Sequence, residues 1–457
     1  MVNDMTKGRP MKLILTFCIP MLMGNIIQQL YNMVDSIVVG RFVGVDAFAG
    51  VSSTGSLTFL VIGFVMGLTS GFSIKVAQSF GAGDYKEMRK YIANALYLSG
   101  AFAVVLTALT VLFTRPLLRV MQTPENIIDY AYDYIIILFA GISVTILYNI
   151  LASILRAVGD SKTPLIFLGV AAMVNIVLDL LFVISFNMGV KGVGYATIIA
   201  QIVSAVLGII YIKKRYYILH IQMDELRMDL EKCKELAYIG VPMALQYSIT
   251  AVGTIILQFA VNSLGSATVA AVGAATKVQS FAILPMETWG LAVATYAGQN
   301  FGAREYNRIR DGVNKSLVLG VVYSVFIYVI IAVFGGYISL LFIKKEEIAI
   351  LGDVVRFLRI SGAFYPTLAV LFVVRNVLQG LGYSMITILA GVSELIARAV
   401  IAIVFVRIFG YDAVILAGPV AWICADMIVI ITYIVKQNDL RRICIEQSDV
   451  VKVCDTI

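Results

Sequence analysis

The sequence predicts an all-α, polytopic membrane protein of twelve spanning helices in two six-helix lobes, and three observations carry that prediction. Of 457 residues, 60% are hydrophobic and only 14% charged, where a soluble domain carries roughly 25% charged residues. Apolar runs long enough to cross a bilayer, which takes about 20 residues, recur along nearly the whole chain between short charged loops. The two halves also resemble each other: Pro20-Met21 recurs as Pro242-Met243, Phe80–Tyr85 (FGAGDY) as Phe301–Tyr306 (FGAREY), and Leu155–Ser161 (LRAVGDS) as Leu378–Ser384 (LQGLGYS), at an offset of 221 to 223. Mean hydropathy is +0.92, which excludes a soluble globular protein. Nothing is left over for an ATPase motor, and no Walker A loop occurs.

The helices are expected near 12–39, 46–79, 88–113, 124–155, 162–187, 190–213, 235–264, 267–300, 306–340, 347–380, 384–408 and 412–436. The first follows MVNDMTKGRPMK, which has no A-x-A cleavage pattern, so this span is expected to stay as an anchor. The second stops at FGAGDY, the third at Arg115 and Arg119, and the fourth runs from Thr123-Pro124 to LRAVGDS. The fifth opens at Lys162-Thr163-Pro164, and the sixth lies between Lys191 and the basic run Lys213-Lys214-Arg215. The remaining six repeat this pattern. A polar stretch, 214–234, connects an N-terminal lobe (1–213) to a C-terminal lobe (235–436), and 437–457 is a polar tail.

Charge orients the chain. With both termini inside, the inner segments hold 22 Lys and Arg, among them Arg441, Arg442 and Lys452 of the tail, and the outer segments hold 7, including Lys344 and Lys345. That bias places both termini in the cytoplasm. The net charge of +7 is thereby a topology signal, and no nucleic-acid partner is needed to explain it. Six helices per repeat is an even number, so the two copies share one membrane orientation and are related by a pseudo-two-fold axis along the membrane normal. Transporters built this way place a substrate site between repeats and expose it alternately to each side.

Two chemistries are absent. The five cysteines (Cys18, Cys233, Cys424, Cys444, Cys454) have no metal-site spacing, and His220 is the only histidine and lies in the polar connector. Neither a Ser-His-Asp triad nor an H-E-x-x-H zinc site can be assembled, so the chain is not expected to be an enzyme or to carry a resident cofactor.

Charges inside the bilayer are functional candidates, since each costs on the order of 2.5–3.5 kcal/mol to insert. Asp35, near the outer end of span one, and Asp179, about 25 Å along span five, share the outer half of the N-terminal lobe with Asn175, Tyr134 and Thr197. Asn175 is one turn before Asp179 on the same face. Two carboxylates with amide, hydroxyl and phenol oxygens form a hard site that suits a small cation such as Na⁺, ligated by Asp35, Asp179, Asn175 and Thr197. A proton is the other candidate, because two carboxylates in one apolar volume can share it.

The C-terminal lobe differs. At the repeat offset Asp35 becomes Leu257, Asp179 becomes Ala402 and Asn175 becomes Arg398. That lobe instead offers Glu287 at mid-depth in span eight, Glu394 and Arg398 at ion-pair spacing in span eleven, and Asp426. Glu287 has no partner close in sequence, and Arg375, near the inner end of span ten, is expected to snorkel or pair locally. The substrate cavity is expected to include Glu287, Asn32, Gln246 and Arg398. The 17 Met, 24 Phe and 23 Tyr would suit varied ligands, although any membrane bundle needs bulky residues. The stripe Gly63, Gly67, Gly71 reads as close helix packing rather than a phosphate loop.

Several motifs occur together and in order: LYNMVDSIVVG (30–40), LRAVGDSKTP (155–164), NIVLDLLFV (175–183) and GVGYAT (192–197). With the twelve-span duplication, they resemble the MATE family, the multidrug and toxic compound extrusion transporters, over essentially the whole chain. The resemblance is greatest to the prokaryotic branch with a cation-coupling site in the N-terminal lobe. It implies coupling roles for Asp35 and Asp179, supporting roles for Gln28, Tyr134, Asn175 and Thr197, and a location in a prokaryotic plasma membrane. The implied function is efflux of amphipathic, cationic small molecules by a monomer in contact with membrane lipid, in exchange for inward Na⁺ or H⁺. A lipid-linked oligosaccharide flippase has related architecture but is expected to show more spans and a strongly cationic cavity. A channel would show a continuous polar stripe, and an intramembrane enzyme a nucleophile and base at matched depth.

Overall fold

The computed structural model describes residues 4–340 and 348–454, with side chains over 4–340 and 350–438. Lys344 and Lys345, counted above on the outer side, lie outside the described residues, as do the side chains of Arg441, Arg442, Cys444, Lys452 and Cys454. Sixteen α-helices follow one another: α1 Pro10–Val38, α2 Val45–Ser53, α3 Gly55–Gly81, α4 Tyr85–Val120, α5 Glu125–Ala140, α6 Ile142–Ala157, α7 Lys162–Leu180, α8 Gly189–Arg215, α9 Leu230–Ser263, α10 Ser266–Gly302, α11 Tyr306–Ser339, α12 Ile348–Gly362, α13 Tyr365–Gly380, α14 Ser384–Val400, α15 Val406–Phe409 and α16 Tyr411–Cys454. Among the described residues there is no strand. Three π-helical turns, Val39–Val43, Leu181–Ser185 and Ile401–Phe405, extend α1, α7 and α14.

Among the described residues, ten continuous segments are long and apolar enough to cross a membrane, and counting each of two bent pairs, α5 with α6 and α12 with α13, as one span brings the number to twelve. Spans four and ten, expected to be single helices, bend by 51° and 50°. In the first, Gly141 at the joint lies against the side chain of Ile198, where any larger residue would collide. In the second, Pro366 opens α13 and cannot donate to the last carbonyls of α12. The expected helix 46–79 is interrupted at Thr54. There the hydroxyls of Ser53 and Thr54 donate at 2.7 Å to the carbonyls of Gly50 and Val51, a local alternative to the helical ladder.

The chain forms two compact units. The first holds Thr16–Ser248, the second Met5–Leu15 together with Ile249 onward. The first half of α9 therefore packs within the first unit, and the glycine stripe is what admits it. A Cβ at Gly67 would fall 2.6 Å from the Met243 carbonyl oxygen, and one at Gly71 would strike the Gly240 backbone. Around this crossing Leu68, Phe72, Ile154 and Leu236 make a buried core.

The polar connector docks on the same unit. Arg89 grips Glu225 in a bidentate pair, 2.7 Å at each bond, and Glu225 also accepts from the Gln222 backbone at 2.9 Å. Lys232 pairs with Glu87, and Glu235 accepts from Lys75 and Tyr91 at 2.6 and 2.7 Å. In the second unit, Met5 is fully buried. Its N–H donates to Gln299 Oε1 at 2.9 Å, and its carbonyl accepts from Asn300 at 3.2 Å.

Candidate functional site

In the first unit the two aspartates occupy corresponding places. Asp35 lies in the last turn of α1 and Asp179 in the last turn of α7, each just before a π-helical turn. The two π turns pack on each other. Such turns put an extra residue into the helical ladder and are frequent at functional sites. Val38, Val39, Val183 and Val193, with Val34 and the ring of Tyr134, form an apolar cluster around them.

Asp35 is 6% exposed, Asp179 0% and Asn175 1%. The two carboxylates interact directly, side chain to side chain. Among the described residues, one oxygen of Asp35, both oxygens of Asp179 and both polar atoms of Asn175 are buried without a hydrogen-bond partner. Each such group costs about 1–3 kcal/mol, more when charged. Tyr134 lies in the field of both aspartates. Tyr31, one turn before Asp35, does too, and a side-chain hydrogen bond joins it to Gln28.

The structure thus brings together Asp35, Asp179, Tyr134 and, through Tyr31, Gln28. Asn175 stands one turn from Asp179 on α7. Thr197 is buried on the neighbouring α8, where its hydroxyl donates to the Val193 carbonyl at 3.0 Å, leaving its lone pairs to accept. Tyr31 was missed by the sequence reasoning, although its i, i+4 spacing to Asp35 was a usable signal. Among the described residues no three His, Cys, Asp or Glu side chains converge, so the donor set is two carboxylates with neutral oxygens beside them.

The second unit builds the same apolar cluster without the acids: Val261, Ile401, Val406, Ala413 and Val414 pack together, and Leu257, the counterpart of Asp35, fills in beside them. Its charges gather elsewhere. Arg375 donates to Glu394 at 2.9 Å and Arg398 to the other Glu394 oxygen at 3.3 Å. The expected Glu394–Arg398 pair is present, but Arg375 does not snorkel. It is 8% exposed and is held across helices by Glu394. Asp426 and the half-buried Glu287 both lie in the field of Arg375. Of the other cavity candidates, Asn32 is exposed and Gln246 buried, both in the first unit.

Comparison with known proteins follows the same lines. A family model described as MatE matches the chain twice, over residues 20–181 and 242–404. The probable multidrug resistance protein YoeA of Bacillus subtilis is 33% identical over 340 residues, covering 72% of this chain and 73% of its own. The multidrug export protein MepA of Staphylococcus aureus is 22% identical, with 98% of both chains covered. An outward-facing multidrug resistance MATE family transporter of the MOP superfamily superposes with a TM-score of 0.89 at 22% identity, covering 96% of this chain and 98% of that one, a likeness of fold. The membrane-length helices and these bacterial relatives make the protein a multi-pass membrane protein, and the family and its relatives are transporters rather than enzymes. The duplicated match, the relatives and the two-lobed helical fold place the chain in the MatE family, the multidrug and toxic compound extrusion transporters.

Proposed function

We propose that the protein is a secondary active multidrug exporter that exchanges amphipathic, cationic small molecules for inward-moving Na⁺ or H⁺ by alternating access. It works as a monomer in a prokaryotic plasma membrane, with both termini cytoplasmic. The observation that carries this reading is the facing pair Asp35 and Asp179, buried in an apolar cluster with one oxygen of Asp35 and both oxygens of Asp179 lacking a hydrogen-bond partner among the described residues. A monovalent cation or a shared proton supplies what those oxygens lack, and Asn175 and Thr197 offer neutral oxygens to complete a Na⁺ shell. The carboxylates alternate between cation-bound and cation-free forms, and that alternation is what couples the gradient to export.

The substrate class rests on the relatives, which are named for multidrug resistance and export, and on the acids that lie in the field of Arg375 in the second unit. Glu287 is the half-buried member of that charge network, and its attraction for an organic cation grows in a low-dielectric setting. Arg398 completes the proposed lining within the second unit, and Asn32 and Gln246 are proposed as substrate contacts of the first. Reconstituted vesicles under a pure Na⁺ gradient, and separately under a pure pH gradient, test the reading. At least one gradient drives accumulation of a cationic dye above equilibrium; downhill flux alone under both would make the protein a channel and sink the proposal.

A further inference from the structure

A cleft of about 580 Å³ opens in the second unit beside α11 and α12. Gly336 of α11 and Leu351, Gly352 and Val355 of α12 supply apolar walls, and Arg356 and Arg359 supply charge. Gly352 faces open space: a Cβ there would meet nothing within 4 Å. The two arginines are one turn apart and both exposed. Arg356 is paired with Asp412 at 2.8 Å. Arg359 donates through Nε to the Ala332 carbonyl at 3.3 Å, and among the described residues its two Nη groups have no partner.

Depth makes this arrangement informative. Ala332 lies seven residues before Ser339, where α11 ends, about 10 Å into a membrane-length helix. α11, 34 residues and about 51 Å long, outruns a hydrocarbon core of about 30 Å, so a guanidinium at that level stands near the boundary between core and headgroups. Its planar fork fits phosphate oxygens with two parallel bonds, and its long stem lets it reach toward the headgroup layer. Asp412 cancels one of the two arginines, and Asp353, the other acid on this stretch of α12, is not among the cleft walls. Among the described residues, one positive charge is left over an apolar trough.

We propose that this cleft binds an anionic phospholipid, its phosphate held by Arg359 and Arg356 and one acyl chain laid along Gly336, Gly352 and Val355. The charge selects a headgroup with one net negative charge, and the volume and apolar walls select a chain-bearing phosphate over a free one.

The test uses the full-length protein purified in mild detergent, with co-purified lipids quantified by mass spectrometry. Thermal midpoints are followed on adding phosphatidylglycerol, phosphatidylethanolamine or glycerol phosphate. The wild type should retain phosphatidylglycerol in preference to phosphatidylethanolamine and be stabilised by it but not by glycerol phosphate. Arg359→Gln should lower retention about fivefold, the weight of one basic side chain at an anionic surface. Gly352→Leu fills the trough while leaving both charges and favouring the helix, so it should displace the lipid from a folded protein, and it decides alone where Arg359→Gln folds poorly. Equal retention of the two lipids, no loss of retention in Gly352→Leu, or equal stabilisation by glycerol phosphate would overturn the proposal.

Discussion

Asp179 has both oxygens buried without a hydrogen-bond partner among the described residues, and Asp35 faces it, so each has a testable role. Asp35→Asn or Asp179→Asn keeps the shape and removes the charge proposed to alternate between cation-bound and cation-free forms. Uphill efflux should collapse for every substrate, read as resistance or dye export at matched membrane expression. Glu287→Gln removes the charge proposed to act on the ligand, so it should weaken cationic substrates by about 1–3 kcal/mol, as for a partly desolvated charged bond, and nearly spare neutral ones. If Glu287→Gln abolished all transport while Asp35→Asn left it intact, the coupling group would belong to the second unit. Glu394 bridges Arg375 and Arg398, and Glu394→Ala strands two buried guanidinium groups at a cost of about 3–5 kcal/mol. A large fall in thermal midpoint is expected, and an unchanged midpoint would mean that Asp426 takes over the pairing.

At the scale of elements, the α3–α9 crossing depends on glycine. Gly71→Ala puts a methyl group onto the Gly240 backbone, and overpacking of that kind costs about 1–3 kcal/mol, measurable as a lower melting temperature. Gly100 gives the control, since a Cβ there meets nothing. The connector makes a second prediction. Hydrogen bonds from Arg89, and then from the Gln222 backbone, hold the Glu225 carboxylate below its usual range. Its folded form therefore binds protons less readily than its unfolded form. The contribution is fully present above the ordinary carboxylate range and is lost as pH falls through the lowered value. Glu225→Gln should cost about 1.5–3 kcal/mol at neutral pH and little in strong acid, so thermal melts of wild type and variant should converge as pH falls.

At the scale of the molecule, hydropathy and repeat spacing made the helical membrane fold and its duplication legible, because burial in lipid demands long apolar runs whatever the tertiary packing. The bends were hidden. Gly141 and Pro366 are ordinary residues until the neighbouring helix shows what they accommodate. Asn175 and Asp179 were readable as a pair because four residues make one helical turn. Asp35 and Asp179 lie on helices far apart in sequence; matched depth and the family resemblance set them in one half of one lobe, but no sequence signal shows that the two carboxylates meet. No local signal joins Arg375 to Glu394, since that bond depends on how α13 packs against α14.

The central claim is that gradient energy enters at Asp35 and Asp179. Vesicles reconstituted with wild type, Asp35→Asn or Asp179→Asn, each given the cation gradient that drives the wild type and a fluorescent substrate at equal concentration on both sides, test it most directly. The account predicts accumulation above equilibrium by wild type alone, with substrate binding retained in both variants. Accumulation to the wild-type level by either variant would contradict it.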